Sequence, residues 1–503
     1  MSPDGLESSP AVPATTPDAP TPPLSMVEVQ QRVSSELERI GVVVDELGER
    51  FEAAGHSLHL VGGPVRDAML GRLQNDLDFT TSAHPDAVER LLKGWAEAVW
   101  DIGRAFGTIG CRKGDWTIEI TTFRSEAYSA DSRKPEVAYG TDLAGDLGRR
   151  DFTVNAMAVS VPGRVFEDPF GGIGDLAHRV LRTPGRPEDS FSDDPLRMMR
   201  AARFAAQLGF DVAPDVVAAM TAMAERIDVI SAERVRDELV KLVCAPYPRR
   251  GLALLVETGL AARVLPELPA LQLERDEHHR HKDVYEHSLT VLEQSMDLEE
   301  RLAAPDGPGT PDFIVRFAAL VHDIGKPRTR RFLEDGSVTF HHHDVVGAKL
   351  VRKRMKALRF SGEQIDAVSK LVELHLRFHG YGDGGWTDSA VRRYVRDAGD
   401  QLQRLHILTR ADCTTRNRRK AERLRRTYDD LERRIGELAE QEELDAMRPD
   451  LDGNQIMRIL GIGPGRDVGE AYKFLLEQRM DHGPQDPATA EAALRAWWAE
   501  RQG

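Results

Sequence analysis

The chain has 503 residues, room for roughly three or four domains that each bury a core. Its formal net charge of -15 excludes a nucleic-acid partner held by bulk basicity, so any such partner needs cations gathered locally. Three widely spaced cysteines (Cys111, Cys244, Cys413) give neither a disulfide framework nor a zinc pattern, which fits a reducing cytoplasm. No apolar run approaches the roughly 18 residues needed to cross a bilayer, and the N-terminus lacks the basic and apolar regions of a signal peptide.

Residues 1–26 are rich in Pro, Ala, Ser and Thr without a periodic apolar face, and are expected to form a disordered extension. Helical spacing begins at Val27. "SLHLVGGPVRD" then reads as a strand, a glycine turn at Gly62 and Gly63, and a helix with Pro64 near its start, whose backbone N–H groups can meet phosphate oxygens; Arg66 sits in its first turn.

"QNDLDFTT" sets Asp76 and Asp78 two apart in a strand. Residues i and i+2 share a face there, so both carboxylates project side by side, an arrangement that suits Mg²⁺. A solvated edge strand, or the D-x-D of enzymes that bind nucleotide sugars, would look alike. Glu119 in "TIEITTFR" is either a third carboxylate of this group or an outward strand residue. Further on, "LGRRDFTVNAMAV" supplies Arg149, Arg150, Asp151 and Asn155 as cationic and hydrogen-bonding groups.

From "DDPLRMMRAARF" onward the pattern is almost wholly helical. Asp194, Arg197, Arg200 and Arg203 recur every three residues, one helical turn apart. Asp194 before Pro195 also reads as a plain N-cap.

Downstream, "VYEHSL" gives His287, "FAALVHDIGKPRTR" gives His322 and Asp323, and "LTRADCTTRN" gives Asp412. This is the spacing expected when several helices each give a ligand to one divalent metal, although a lone histidine is more often a core or surface residue. His343 in "FHHHDVVGAKL" and His375 in "LVELHLRFHG" are weaker candidates for a second ion. "RNRRKAERLRRTYDDLERR" gathers Arg416, Arg418, Arg419, Lys420, Arg423, Arg425 and Arg426 in one helical segment, either a solvated face or a seat for RNA phosphates.

The segments "LVGGPVRDAMLGRLQNDLDFTT", "TIEITTFRSE", "RRDFTVNAMA", "VFEDPFGGIGDL", "DDPLRMMRAARFAAQLGF" and "SAERVRDELVKL" closely resemble, in order, the motifs of class II tRNA nucleotidyltransferases, which include CCA-adding enzymes and bacterial poly(A) polymerases. The resemblance spans about residues 55–250, and residues from His287 to Asp412 resemble an HD phosphohydrolase domain. It implies that Asp76 and Asp78 hold catalytic Mg²⁺, and that Gly63 and Arg66 contact the incoming nucleotide. Arg150 with Asp151 would lie near its triphosphate and ribose. Asp194 and Arg197 would read its base edge, in a nucleotide-binding row that continues through Arg200 and Arg203.

The expected fold is α+β: a small mixed-sheet nucleotidyltransferase head of the polymerase-β type, then a long helical body that includes an HD domain. Expected boundaries are an extension (1–26), head (27–180), helical neck (181–265), HD domain (266–435) and helical tail (436–503). The expected activity is template-independent addition of CMP and AMP, from CTP and ATP, to tRNA 3′ ends, with a possible HD phosphohydrolase. A poly(A) polymerase is the alternative, disfavoured by Phe106-Gly107-Thr108 where those enzymes carry a more basic signature. CC-only addition, which would depend on a loop within 126–142, and a nucleotide-sensing HD protein with a non-catalytic head stay open.

Overall fold

The computed structural model describes residues 26–101, 103–127, 136–139, 142–272, 283–301, 309–334, 338–381, 386–413, 418–442 and 448–502. The expected N-terminal extension up to residue 25, much of the loop 126–142, and Arg416 lie outside them. The chain divides into two compact units, Met1–Asp193 with Phe210–Val216, and Asp194–Gly209 with Val217–Gly503.

Among the described residues the first unit holds eleven strands: β1 (Leu58–Val61), β2 (Asp76–Thr81), β3 (Ala98–Trp100), β4 (Thr108–Lys113), β5 (Trp116–Thr122), β6 (Arg124–Ala127), β7 (Glu136–Tyr139), β8 (Ala158–Val161), β9 (Phe166–Glu167), β10 (Val180–Leu181) and β11 (Asp211–Val212), the last two a short parallel pair. Seven of them form one mixed sheet in the order β3-β4-β5-β2-β1-β8-β9, while β6 and β7 pair as a separate antiparallel hairpin. β2 is interior, antiparallel to β1 and parallel to β5. Its alternation explains how a strand tolerates two aspartates: Leu77 and Phe79 are buried in the core, and Asp76 and Asp78 face the other way, into solvent. Across one face lies the helix Met26–Ala53, which buries Val29, Ile40, Val44, Leu47 and Phe51 at helical spacing.

Among the described residues the second unit is helical apart from one short hairpin. Its helix Leu196–Leu208 packs against Ala232–Val243 and Pro248–Glu257, and its run of small residues permits the close approach: a Cβ on Gly251 would come within 2.4 Å of the Ala202 carbonyl oxygen. Around the helix Phe313–Val321, all nine of whose residues are buried, pack Val284–Arg301, Gly362–Leu374 and Leu402–Asp412. The ion pair between Arg316 and Glu299 (2.8 Å) is sealed inside this bundle. Three further helices, Gly453–Leu460, Arg466–His482 and Pro487–Gln502, enclose a small core of their own around Ile456, Leu475 and Leu494. Among the described residues no helix is long and apolar enough to cross a membrane.

Gly325 sets a tight contact in the bundle, since a Cβ there would sit 2.0 Å from the His343 carbonyl oxygen and 2.8 Å from the Gly347 nitrogen. Both are backbone atoms that cannot swing away. Gly325→Ala is therefore expected to destabilise this unit by about 1–3 kcal/mol, read as a lower midpoint in chemical denaturation, with Gly362→Ala, where a Cβ meets nothing within 4 Å, as the control.

Candidate functional site

The register of the parallel β2–β5 pair sets Asp76 beside Thr117 and Asp78 beside Glu119. Asp76, Asp78 and Glu119 therefore project from one face of the sheet, and all three are exposed there. Glu119 is thus an outward-facing strand residue that lies beside Asp78. Water reaches the Asp78 carboxyl, yet protein surrounds it closely enough for desolvation to raise its proton affinity. Burial acts first, and the Glu119 and Asp76 charges add to it, so its pKa is pushed up to about 6 despite the opposing Arg150 and Arg66 guanidinium groups.

Those two arginines are held by other acids and amides. Gly62 lies in the left-handed region (φ 72), and a Cβ on it would stand 2.8 Å from Arg150 Nη1, so glycine is what lets the side chain pass. Gly63 opens the helix Gly63–Met69. Arg66 donates to Asn155 Oδ1 (2.6 Å) and to Asp67 (2.8 Å); Asn155 Nδ2 in turn donates to Asp151 Oδ1 (2.9 Å). Asp151 also accepts from the Phe152 backbone N–H (2.8 Å). Asp146, fully buried, accepts from Arg150 Nη2 (3.2 Å) and pairs with Arg149 (3.4 Å). The "GGPVRD" and "RRDFTVN" motifs are thus parts of one hydrogen-bonded frame. Asp146 escaped the sequence reading, and its only signal there is its position four residues before Arg150.

In the second unit Asp194 precedes the helix Leu196–Leu208. Its Oδ1 accepts from the Leu196 N–H (3.1 Å), as a capping residue would, and its Oδ2 pairs with Arg234 (2.8 Å). Arg203 is buried in a 2.5 Å ion pair with Glu238, which also faces Arg200 at 3.9 Å, and both guanidinium groups lie over the Phe204 ring. Arg203 is therefore a buried brace between two helices, and Arg197 and Asp194 stand at the more open N-terminal end of the row.

The HD residues converge from five segments: His287 from Val284–Arg301, His322 and Asp323 just past Phe313–Val321, His343 opening His343–Ala357, His375 just past Gly362–Leu374, and Asp412 closing Leu402–Asp412. Two triads form, His287-His322-Asp412 and Asp323-His343-His375, each with donor atoms within 4.8 Å of one another. His287 Nε2 is 2.9 Å from Asp412 Oδ1, His322 Nε2 is 3.2 Å from Asp323 Oδ2, and His343 Nε2 is 3.2 Å from Asp323 Oδ1. Asp323 thus faces His343 with Oδ1, and His322 and the more distant His287 (3.7 Å) with Oδ2. Lys326 adds a charge at 2.6 Å from Asp323 Oδ2.

Three rings are oriented in the same way. Nδ1 of His322, His343 and His375 lies 2.8, 2.8 and 2.6 Å from the carbonyl oxygen three residues earlier, which makes Nδ1 the N–H donor and leaves Nε2 with its lone pair. All three Nε2 atoms are buried without an aligned hydrogen-bond partner. Buried lone pairs of this kind are costly unless a cation meets them, so the residues fit a divalent metal, and His343 and His375 belong to the same cluster as the four primary candidates. Burial alone would lower His322, but Asp323 and Asp412 outweigh it and lift its pKa to about 10. Desolvation in turn opposes ionisation of Asp323 and Asp412, and the histidine charges hold both well below the usual carboxylate range. Desolvation and the neighbouring His322 push His375 down to about 4.

In the helix Arg418–Glu442, Arg425 and Arg426 pair with Glu422 at 2.8 and 3.1 Å, the pattern of a solvated helix face.

Comparison with known proteins places three family models along the chain: the poly A polymerase head domain at residues 58–182, the "Probable RNA and SrmB- binding site of polymerase A" at 209–271, and the HD domain at 284–417. The A-adding tRNA nucleotidyltransferase of Deinococcus radiodurans is 34% identical over 88% of this chain and 96% of its own length. The CCA-adding enzyme of Levilactobacillus brevis is 44% identical, but over 42% of this chain and 52% of its own. In fold, the Bacillus stearothermophilus CCA-adding enzyme, solved with CTP, superposes with a TM-score of 0.62 at 25% identity, covering 93% of this chain and 98% of that one. The Thermotoga maritima CCA-adding enzyme complexed with tRNA has a TM-score of 0.57 at 19% identity over 93% of this chain and 98% of its own, a likeness of fold. With a metal-dependent nucleotidyltransferase head and an HD domain in one polypeptide, the chain belongs to the tRNA nucleotidyltransferase family that includes the CCA-adding enzymes and bacterial poly(A) polymerases.

Proposed function

We propose that the protein is a cytoplasmic, template-independent RNA nucleotidyltransferase that adds CMP and AMP, from CTP and ATP, to the 3′ end of tRNA. The observation that carries this reading is the carboxylate face Asp76-Asp78-Glu119, opposed by Arg66 and Arg150. Mg²⁺ held by Asp76 and Asp78 would supply charge neutralisation at the triphosphate and ease deprotonation of the attacking 3′-hydroxyl. The chain's own residues do the rest. Arg66 and Arg150, fixed by Asn155 and Asp146, meet phosphate charge, while Gly62 and Gly63 keep Cβ atoms out of the way. Asp194 and Arg197 present an acceptor and donors to the base edge, braced from behind by Arg234 and by the Arg203–Glu238 pair. His287, His322, Asp323 and Asp412, with His343 and His375 beside them, would hold a divalent metal, which would supply the charge for phosphoester hydrolysis as a second activity on the same chain.

A second reading, addition of the terminal A alone, is favoured by the full-length likeness to the A-adding enzyme of Deinococcus radiodurans. Purified protein is given tRNAs ending before C, after C, after CC and after CCA, with CTP, ATP, UTP and GTP singly and together, and the products are sequenced. CCA addition yields CCA on all three incomplete tRNAs. Extension by a single A on the CC-ended tRNA alone selects the second reading, and a long run of A selects poly(A) synthesis.

Asp78→Asn is expected to abolish nucleotide addition and yet to stabilise the metal-free fold. Because the folded pKa is raised from 3.8 to about 6, stability is lost as pH rises through that window and the penalty is complete above it. The variant should melt a few degrees above the parent at pH 7.5 in EDTA, and at the same temperature near pH 3.5 if both remain folded. Equal melting at pH 7.5 would show that the three carboxylates do not strain one another.

Asp194→Asn keeps an acceptor for the Leu196 N–H and loses the charge that meets Arg234, a partly exposed pair worth at most about 1 kcal/mol. Melting should barely change. If Asp194 reads the base, UTP or GTP incorporation relative to CTP and ATP should rise about ten- to a hundredfold in single-turnover assays. Unchanged selectivity would leave Asp194 a capping residue.

A further inference from the structure

The last residue of β3, Trp100, is paired across the ladder with Gly110 of β4. Its indole fills the space that a side chain at Gly110 would need: a Cβ there would stand 2.0 Å from Trp100 Nε1 and 2.3 Å from Cε2. Gly110 is in turn the partner of Glu119, and Glu119 the partner of Asp78. Cross-strand partners project from the same face. One row across four strands therefore reads Trp100, Gly110, Glu119, Asp78, with the ring beside the carboxylates. Glycine is what lets the ring lie there, and the indole is only half-buried, so part of its surface stays open.

The order of the sheet separates two approaches to Asp76 and Asp78. On one side of β2 lies β1, which runs into Gly62, Gly63 and Arg66; on the other lie β5, β4 and β3. A triphosphate that meets Arg66 leaves its pyrophosphate on the β1 side. In-line displacement at the α-phosphate needs the attacking hydroxyl opposite the leaving oxygen, so the RNA 3′-hydroxyl comes in over β5. β4 lies two strand spacings, roughly 10 Å, from Asp78, a distance that a metal ion and one nucleotide bridge, and the terminal base falls there. The surface suits a polyanion's end: around Glu119 the residues on that face are Thr117 and Thr121 of β5 and Thr108 and Arg112 of β4, none of them acidic.

We propose that Trp100 is an RNA-positioning residue, whose indole stacks on the base of the RNA's 3′-terminal nucleotide and holds its hydroxyl toward Asp76 and Asp78. The inference rests on the nucleotidyltransferase reading and adds to it a residue on the acceptor side of the reaction. The last base of the acceptor changes as the end grows. Stacking tolerates any base, whereas hydrogen-bonding groups would have to choose one. The indole also adds no charge to a face that already carries Asp76, Asp78 and Glu119.

The test compares the parent with Trp100→Leu and Trp100→Phe on tRNA ending after CC, with ATP and Mg²⁺. Leucine still covers Gly110 but has no π face, and phenylalanine keeps one. Trp100→Leu is expected to lower kcat/KM for the tRNA about ten- to a hundredfold with KM for ATP unchanged, and Trp100→Phe to recover most of that loss. Contact is read directly, without nucleoside triphosphate, on a tRNA whose 3′-terminal base is 2-aminopurine: the parent quenches its fluorescence and Trp100→Leu does not. Equal rates for the leucine and phenylalanine variants would make the residue a packing group, and a loss confined to KM for ATP would put the ring under the incoming base. Either result overturns the proposal, as does quenching that survives in Trp100→Leu. Should Trp100→Leu fail to melt cooperatively, Gly110→Ala replaces it, since its Cβ displaces the indole and is expected to reproduce the loss. If the parent adds no A to this tRNA, the nucleotidyltransferase reading fails by itself. The ring is then judged by fluorescence alone: quenching by the parent that the variant loses sustains the contact, and its absence overturns it.

Discussion

Carboxylates drawn out of bulk water need cations, and both chemical centres of this chain are organised around that demand. In the head, an in-register parallel pair of strands puts Glu119 beside Asp78, with Asp76 on the same face. β-strand geometry gives these side chains no means of turning away, since successive residues alternate and the opposite face belongs to Leu77 and Phe79. Charge accumulates where the backbone dictates, and the protein answers with cations it has anchored elsewhere. Arg66 and Arg150 are each tethered to a second group, Asn155 and Asp146, so their positions do not depend on the carboxylates they face.

The two centres resolve the conflict differently. Asp78 keeps access to water, and its excess charge appears as a raised proton affinity, an open demand for cations. Asp323 and Asp412 are buried, and there the compensation is internal: His322 carries a raised pKa between them, and Lys326 touches Asp323. A proton on His322 and a metal on its Nε2 compete for the same lone pair. A water-filled, multiply charged face suits a substrate that arrives with its own charged triphosphate, whereas a closed nest of histidines suits a resident ion.

Much of this was legible in the sequence because it follows from short periods. The same-face pairing of Asp76 and Asp78 needs only the two-residue repeat of a strand, and the HD ligands announce themselves as polar residues at the ends of apolar helices. What the sequence hid are pairings between distant segments. Nothing local says that Glu119 would fall opposite Asp78, because that depends on how β5 is slipped along β2. His343 is a weaker candidate in the sequence because the "HHH" run offers three rings, and the Phe340 carbonyl oxygen that orients its ring lies outside any local pattern. Arg203 looks like Arg197 and Arg200 in a helical row, and only the arrival of Glu238 from another helix makes it a buried brace.

The same logic explains how an acidic protein handles a polyanion. Its arginines are mostly spoken for: in both units they close ion pairs at element ends and between helices, which raises rigidity and leaves little free positive charge. Arg328, Arg330 and Arg331 lack a carboxylate partner among the described residues, and they lie on the segment that joins Asp323 to His343. Net negative charge then works as a filter. A polyanion is repelled by an acidic surface unless cations outnumber carboxylates locally, so the placing of charge along the chain, and not its total, decides where a phosphate can settle.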